Sequence, residues 1–278
     1  MTISEILKKS AEILRNANIE SASLDCRLLL CAFLKVDKLY LIVHPDESVG
    51  NTEEFFGLVK RRASHEPMQY ILGYAEFMGL RFKVDNNVLI PRPDTEICVE
   101  YLIDLIGSSP AHILDIGTGS GCIPISILKN CPGCVASAVD ISEKALEIAR
   151  ENAFQNGVSQ RIEFTKTDIL SDFPKEDFDF IVSNPPYIRD GVIPRLMSDV
   201  KDFEPYGALS GGADGLVFYR RIAAEAAKHI TPDGSLVFEI GYDQAEDVLG
   251  ILKANGYSEI KVIKDLSGND RVVTAKIL

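Results

Sequence analysis

The sequence predicts an α/β protein: a small helical bundle, a β-hairpin linker, then a mostly parallel seven-stranded sheet with helices between its strands. Three observations carry this. Residues 1–66 place apolar side chains at helical spacing. From residue 111 short apolar runs alternate with amphipathic stretches, the pattern of strand–helix–strand units. The last two runs are joined only through Ser267-Gly268-Asn269, so they should pair antiparallel.

Thr2 with Glu5 three residues on forms a capping-box signature, and Ile3, Ile6, Leu7, Ile13, Leu14 and Ala17 follow at helical spacing. A second helix is expected from about Ser23 through Leu28, Leu29 and Phe33. A short third covers Leu39 to Val43 and ends near Pro45, and a fourth opens near Thr52 and closes before Pro67. Residues 67–92 read as strands and turns through Tyr70, Ile71, Phe77, Phe82, Val84, Val88 and Ile90. Beyond the stiff Pro91-Arg92-Pro93, Asp94 or Thr95 can cap a helix through Ile97, Tyr101, Leu102 and Leu105. The expected division is therefore 1–66, 67–92 and 93–278.

Strand one of the sheet is Ile113 to Ile116, with a helix after it whose first turn holds Pro124. Strand two is Val135 to Val139, ended by Asp140, and a helix follows from Ser142. Strand three, Ile162 to Phe164, precedes Asp168, and strand four, Phe178 to Ser183, runs into Asn184. A long loop over about 188–214 and a helix from Leu216 to His229 lead to strand five, Ser235 to Ile240. A helix over about 243–254 and strands near 259–263 and 271–277 complete the chain.

The 278 residues, 46% hydrophobic and 25% charged, supply ample core material. A formal net charge of −12 weighs against a large non-specific nucleic-acid footprint, which needs many cations against phosphates. Lys60-Arg61-Arg62 reads as a solvated helix face. No apolar run approaches the roughly 18 residues of a membrane span. Met1-Thr2-Ile3-Ser4-Glu5 lacks signal-peptide character, so a cytoplasmic location is expected. Cys131-Pro132-Gly133-Cys134 has redox-motif spacing, but Pro-Gly reads as a turn into the next strand and no second pair completes a zinc site. Neither a metal nor a catalytic role for His44, His65, His112 or His229 is expected; the histidines fall at helix ends or a strand start.

Two stretches carry chemistry. Asp115-Ile116-Gly117-Thr118-Gly119-Ser120-Gly121 leaves strand one and opens a helix, and its glycines permit positive φ and close approach of a ligand. Asp140, at the end of strand two, can accept hydrogen bonds from ribose hydroxyls. The spacing is G-x-G-x-G rather than the dinucleotide pattern G-x-G-x-x-G, because position 122 is Cys; that points to S-adenosylmethionine (SAM). Asp115 can orient the loop or meet the methionine amine, or simply cap strand-end N–H groups. The second stretch is Asn184-Pro185-Pro186-Tyr187. Its prolines stop a central strand, leaving a side-chain amide, carbonyl oxygens and an aromatic face at one strand end. That set suits a planar, hydrogen-donating amide or exocyclic amine. In the seven-strand methyltransferase order strand one lies beside strand four, so both stretches would face one crevice.

Together with Pro67-Met68-Gln69-Tyr70-Ile71-Leu72-Gly73, Phe77, Val88-Leu89-Ile90-Pro91-Arg92-Pro93-Asp94-Thr95-Glu96, Lys264-Asp265-Leu266 and Asp270-Arg271, these motifs make the chain similar to the HemK/PrmC family, the release-factor glutamine methyltransferases. The resemblance implies a Rossmann-like SAM-dependent methyltransferase domain and a helical domain that recognises the substrate protein. It also implies peptide chain release factors as partners in translation termination. The reaction is methylation of the side-chain amide of the glutamine in their Gly-Gly-Gln motif, releasing S-adenosylhomocysteine. Carried over residue by residue, the cofactor would meet Asp115, Gly117, Thr118, Gly119, Ser120, Gly121, Asp140, Ile141, Asp168, Ile169 and Asn184. The acceptor would meet Asn184, Pro185, Pro186 and Tyr187, with Arg92 either touching substrate or tethering the linker. Ile169 stands where the family often has an aromatic, so adenine would be packed rather than stacked. A ribosomal-protein glutamine methyltransferase, a DNA or RNA amine methyltransferase and an idle SAM-fold scaffold are the alternatives. The acidic charge weighs against the nucleic-acid reading, and the intact Asn184-Pro185-Pro186-Tyr187 weighs against the scaffold.

Overall fold

The computed structural model describes every residue except Asp172, Lys175, Glu176 and Leu278. It divides into two compact units, Met1–Gly73 with Met197–Phe203, and Tyr74–Leu196 with Glu204–Leu278.

The first unit is helical: α1 (Ile3–Asn16), α2 (Ala22–Leu34), α3 (Lys38–Val43), α4 (Thr52–Ala63) and α5 (Met68–Leu72). The capping box forms as expected, with Glu5 N–H donating to Thr2 Oγ1 and Thr2 N–H to the Glu5 carboxylate. Ile3, Ile6, Leu14, Leu29, Leu30, Phe55 and Val59 are buried together. Two expectations fail here. Tyr70 and Ile71 lie on α5, not on a strand, because Pro67 opens a turn of helix that Gly73 closes in the left-handed region. Nor is Lys60-Arg61-Arg62 wholly solvated: Arg62 is buried and pairs with Asp25 at 2.8 Å, while Arg61 holds Glu66.

The second unit opens with the hairpin β1 (Tyr74–Phe77) and β2 (Leu80–Lys83), then α6 (Pro93–Ile106). Neither Asp94 nor Thr95 caps α6: Arg92 occupies the cap position and Pro93 the first turn, where its missing N–H costs nothing. There follow β3 (His112–Ile116), α7 (Cys122–Asn130), β4 (Val135–Asp140), α8 (Glu143–Gln155), β5 (Ile162–Lys166) and β6 (Phe178–Ser183). The expected long loop contains single turns of helix at Ile193–Arg195, at α9 (Ser198–Lys201, in the first unit) and at α10 (Tyr206–Leu209). α11 (Val217–Ala226), β7 (Ile230–Glu239), α12 (Ala245–Ala254), β8 (Tyr257–Lys264) and β9 (Asp270–Ile277) complete the unit.

The sheet order is β5-β4-β3-β6-β7-β9-β8, parallel through β7 and antiparallel for the last two pairings. Strand alternation splits the core. Ile113, Val182, Val237 and Val272 face one side with residues of α6 and α7, whereas Leu114, Ile181, Phe238 and Val273 face the other with residues of α11 and α12. Strand order reverses between β3 and β6, and at this switch point open parallel sheets bind ligands.

Candidate active site

The loop after β3 is shaped by three glycines in the left-handed region, Gly117 (φ +77°), Gly119 (+55°) and Gly121 (+79°). A Cβ on Gly121 would stand 2.8 Å from Ile125 Cδ1 and 3.2 Å from Ala149 Cβ, so this position also lets α7 approach α8. The N–H groups of Gly117 and Thr118 donate to the Val139 carbonyl, and Gly119 N–H donates to Asp140 Oδ2 at 2.9 Å. Asp140 Oδ1 accepts from Ser142 N–H. Each carboxylate oxygen keeps a further lone pair for a ligand hydroxyl. Asn152, fully buried on α8, donates to the carbonyls of Ser120 and Lys83, tying the loop to the hairpin.

Asp115 is fully buried, and neither carboxylate oxygen has a hydrogen-bond partner; Thr118 Oγ1, close by, is likewise short of bonding geometry. Burial raises this carboxyl from its ordinary 3.8 to about 7; the Thr118 hydroxyl opposes the rise and the Asp140 charge adds to it. A buried carboxylate left unpartnered is costly, and a cationic ligand group would relieve that cost.

At the switch point Ser183 Oγ donates to the Ile116 carbonyl at 2.7 Å, pinning the ends of β6 and β3 together. Asn184, next along, donates from Nδ2 to Thr95 Oγ1 on α6 at 3.2 Å. Tyr187 is largely buried, which pushes its hydroxyl up to about 12, so it stays protonated. Its carbonyl accepts from Gln244 Nε2, which also donates to the Gly215 carbonyl, while Gln244 Oε1 accepts from Gly241 N–H.

One cavity of about 250 Å³ joins these parts. Of the sequence candidates it is lined by Gly117, Gly119, Asp140, Ile141, Asp168, Ile169, Asn184, Pro185 and Pro186. Asp115, Thr118, Ser120, Gly121 and Tyr187 are not among its lining residues. The Asp168 side chain is turned to solvent and pairs with Arg221 at 2.8 Å. Ile169 holds φ at +58°, unusual for a β-branched residue and a mark of strain at a ligand wall. Arg92 does not line the cavity; it pairs with the buried Glu204, a tether within this unit.

Sequence reasoning missed several residues. Val88 and Leu89, and Phe218 and Ile222 of α11, line the cavity, so Phe218 brings an aromatic ring to the wall that Ile169 leaves without one. Asn152 and Gln244 carried no local signal, since their partners are distant in sequence. Glu239 did carry one: it is a carboxylate inside an apolar strand. It is 1% exposed, and burial raises it from 4.5 to about 7, against hydrogen bonds from Thr95 and Asn184 and the charge of Arg271; Asp94 adds to the rise.

Comparisons with known proteins bear on the family and the fold. Residues 5–73 match the model of the PrmC N-terminal domain and residues 94–198 that of the methyltransferase small domain. A release factor glutamine methyltransferase of Clostridium botulinum is 40% identical over 99% of this chain and 99% of its own length. One from Geobacter sulfurreducens is 40% identical, covering 99% and 97%. Among solved structures, the catalytic domain of human Mettl16 in complex with an RNA hairpin superposes with TM-score 0.61 at 20% identity, covering 80% of this chain and 82% of its own. A ribosomal protein L11 methylase from Lactobacillus delbrueckii gives 0.51 at 23%, covering 70% and 84%. At these identities the structural likeness shows the fold alone.

Proposed function

The chain belongs to the release factor glutamine methyltransferase family, and from that premise we propose that it methylates the side-chain amide nitrogen of the Gly-Gly-Gln glutamine in peptide chain release factors. The observation that carries this reading is the meeting of Asn184-Pro185-Pro186 and the glycine loop on one cavity at the β3–β6 switch point. Methyl donor and amide acceptor have to be neighbours, and these two stretches are.

The residues present fit SAM. Asp115, buried and unpartnered, suits an ammonium group behind the glycine loop. Asp140 has lone pairs for ribose hydroxyls, and Ile141, Ile169 and Phe218 suit the faces of a flat base. SAM supplies the transferable methyl group when bound.

The protein's own task is to hold the acceptor. An amide nitrogen is a weak nucleophile because its lone pair is delocalised into the carbonyl. Asn184 Oδ1 and the Pro185 carbonyl can accept its two hydrogens, which orients the nitrogen and stabilises positive charge that develops on it. Tyr187, which does not line the cavity, stays neutral and is held beside the corner by the Gln244 bond to its carbonyl, and Pro186 walls the pocket. A methylated amide nitrogen loses its proton readily, so the mechanism calls for no strong base. The helical unit, which matches the PrmC N-terminal domain, takes the part of substrate-protein recognition.

The test is incubation with methyl-labelled SAM and purified release factor, beside the release factor with its motif glutamine replaced. Label should enter the first and not the second. Label on the Gln-replaced protein, or on nucleic acid instead, overturns the reading.

A further inference from the structure

Asn184 can hold an acceptor amide only if its oxygen, not its NH2 group, faces the substrate. An asparagine side chain is nearly symmetric in shape, so something must choose. We infer that Thr95 and Glu239 form a buried relay that fixes the Asn184 amide with Oδ1 toward the acceptor, making both of them positioning residues for methyl transfer.

The backbone register brings the three together. β6 and β7 run parallel with Ser183 opposite Phe238, so Asn184 stands beside Glu239 at the carboxyl ends of both strands. Glu239 shares the sheet face of Val237, the side whose core includes residues of α6. Thr95 lies in the first turn of α6 and is 2% exposed. Asn184 Nδ2 donates to Thr95 Oγ1 at 3.2 Å, and both side chains lie near enough to the Glu239 carboxyl group to favour its charged form.

Polarity then propagates outward. Above about pH 7, where Glu239 has lost its proton, its carboxylate only accepts. The Thr95 hydroxyl must therefore give its single proton to Glu239, which leaves its oxygen to accept. Asn184 then meets an acceptor in Thr95 Oγ1, and it can satisfy it only with its NH2 group. Oδ1 is left for the cavity. Glu239 Oε2 is buried with no hydrogen-bond partner, which leaves it as an acceptor for the Thr95 proton. Buried amides supported in this way are preorganised for one orientation.

The consequence for catalysis rests on the glutamine-methylation reading, but the relay itself can be seen without substrate. In the unliganded protein, 15N spectra should show an Asn184 side-chain amide proton, assigned by its loss in Asn184→Ala, that exchanges slowly with solvent. In Thr95→Val this exchange should quicken at least about tenfold, since the hydroxyl acceptor is gone. In turnover, Thr95→Val should lower kcat about 10- to 100-fold, the scale of supporting hydrogen bonds around a reactive group. KM for release factor and SAM affinity should hold, and Thr95→Ser should recover most of the lost kcat. The double variant Thr95→Val/Asn184→Ala should be no slower than Asn184→Ala alone. If Thr95→Val does not fold, Glu239→Gln serves, because an amide can offer Thr95 either a donor or an acceptor and no longer enforces polarity. Unchanged exchange at Asn184, or losses that multiply in the double variant, overturn the relay. Slow exchange that quickens as expected, in a protein that transfers no methyl to glutamine, keeps the relay and overturns the substrate reading instead.

Discussion

Asp115 makes the stability of the unliganded protein depend on pH in a direction opposite to that of most carboxylates. Its folded-state value, about 7, lies above the ordinary 3.8 because burial disfavours the charge. Between these values the unfolded chain has released a proton that the folded chain still holds. Stability should therefore fall as pH rises from about 4 to about 7 and level off above. The full difference corresponds to about 4 kcal/mol. Glu239, raised from 4.5 to about 7 by burial, adds a fall of the same sign. The contribution of Asp115 is isolated by Asp115→Asn, which fills nearly the same volume and does not titrate. Urea denaturation followed by circular dichroism between pH 4 and pH 8 should show the variant gaining on the unaltered protein by about 4 kcal/mol across that range. Saturating SAM should flatten the slope of the unaltered protein, because a cation beside Asp115 favours the charged form. Parallel pH profiles for the two proteins would refute the reasoning, since they would mean that the Asp115 charge is already compensated when folded.

Asn184→Ala should lower kcat on release factor about 10²–10³-fold, the scale for losing one preorganised polar contact; initial rates with labelled SAM check it. Asp140→Ala should weaken SAM binding by calorimetry, both by losing acceptors for hydroxyls and by freeing Gly119 N–H, which it holds at 2.9 Å. Gly215→Ala should disturb the acceptor corner: φ is +77° there, and a Cβ would stand 2.5 Å from the Tyr187 carbonyl oxygen and 2.7 Å from Gln244 Nε2. Its kcat should drop at least about tenfold, with folding cooperativity retained in a urea titration. Arg62→Ala should cost about 3 kcal/mol of stability, because it leaves the buried Asp25 carboxylate without its counter-charge and with only the Ser21 hydroxyl as partner; denaturation of the variant checks this.

What the sequence made legible follows the range of the interactions. The glycine loop, Asp140 and Asn184-Pro185-Pro186-Tyr187 could be read because each is shaped locally, by positive φ, by a strand end and by proline. Their meeting on one cavity follows from β3 lying beside β6, which strand–helix alternation and the likeness to the methyltransferase order anticipate. The misses are of two kinds. Tyr70 and Ile71 read as strand in the sequence because five residues show no distinct period, and a Pro–Gly frame can hold a single helical turn as readily as an extended run. Thr95, like Asp94, reads as a cap because a hydroxyl just after Pro-Arg-Pro-Asp is a good capping candidate. Its hydroxyl instead meets Asn184, 89 residues away. No local rule registers that distance, but one general rule does. A carboxylate in an apolar strand has to be compensated, and Glu239 lies at the carboxyl end of β7, where parallel sheets place their ligand sites. Charge out of place in a core strand therefore pointed to the interior side of the acceptor corner, just as proline pointed to its outer side.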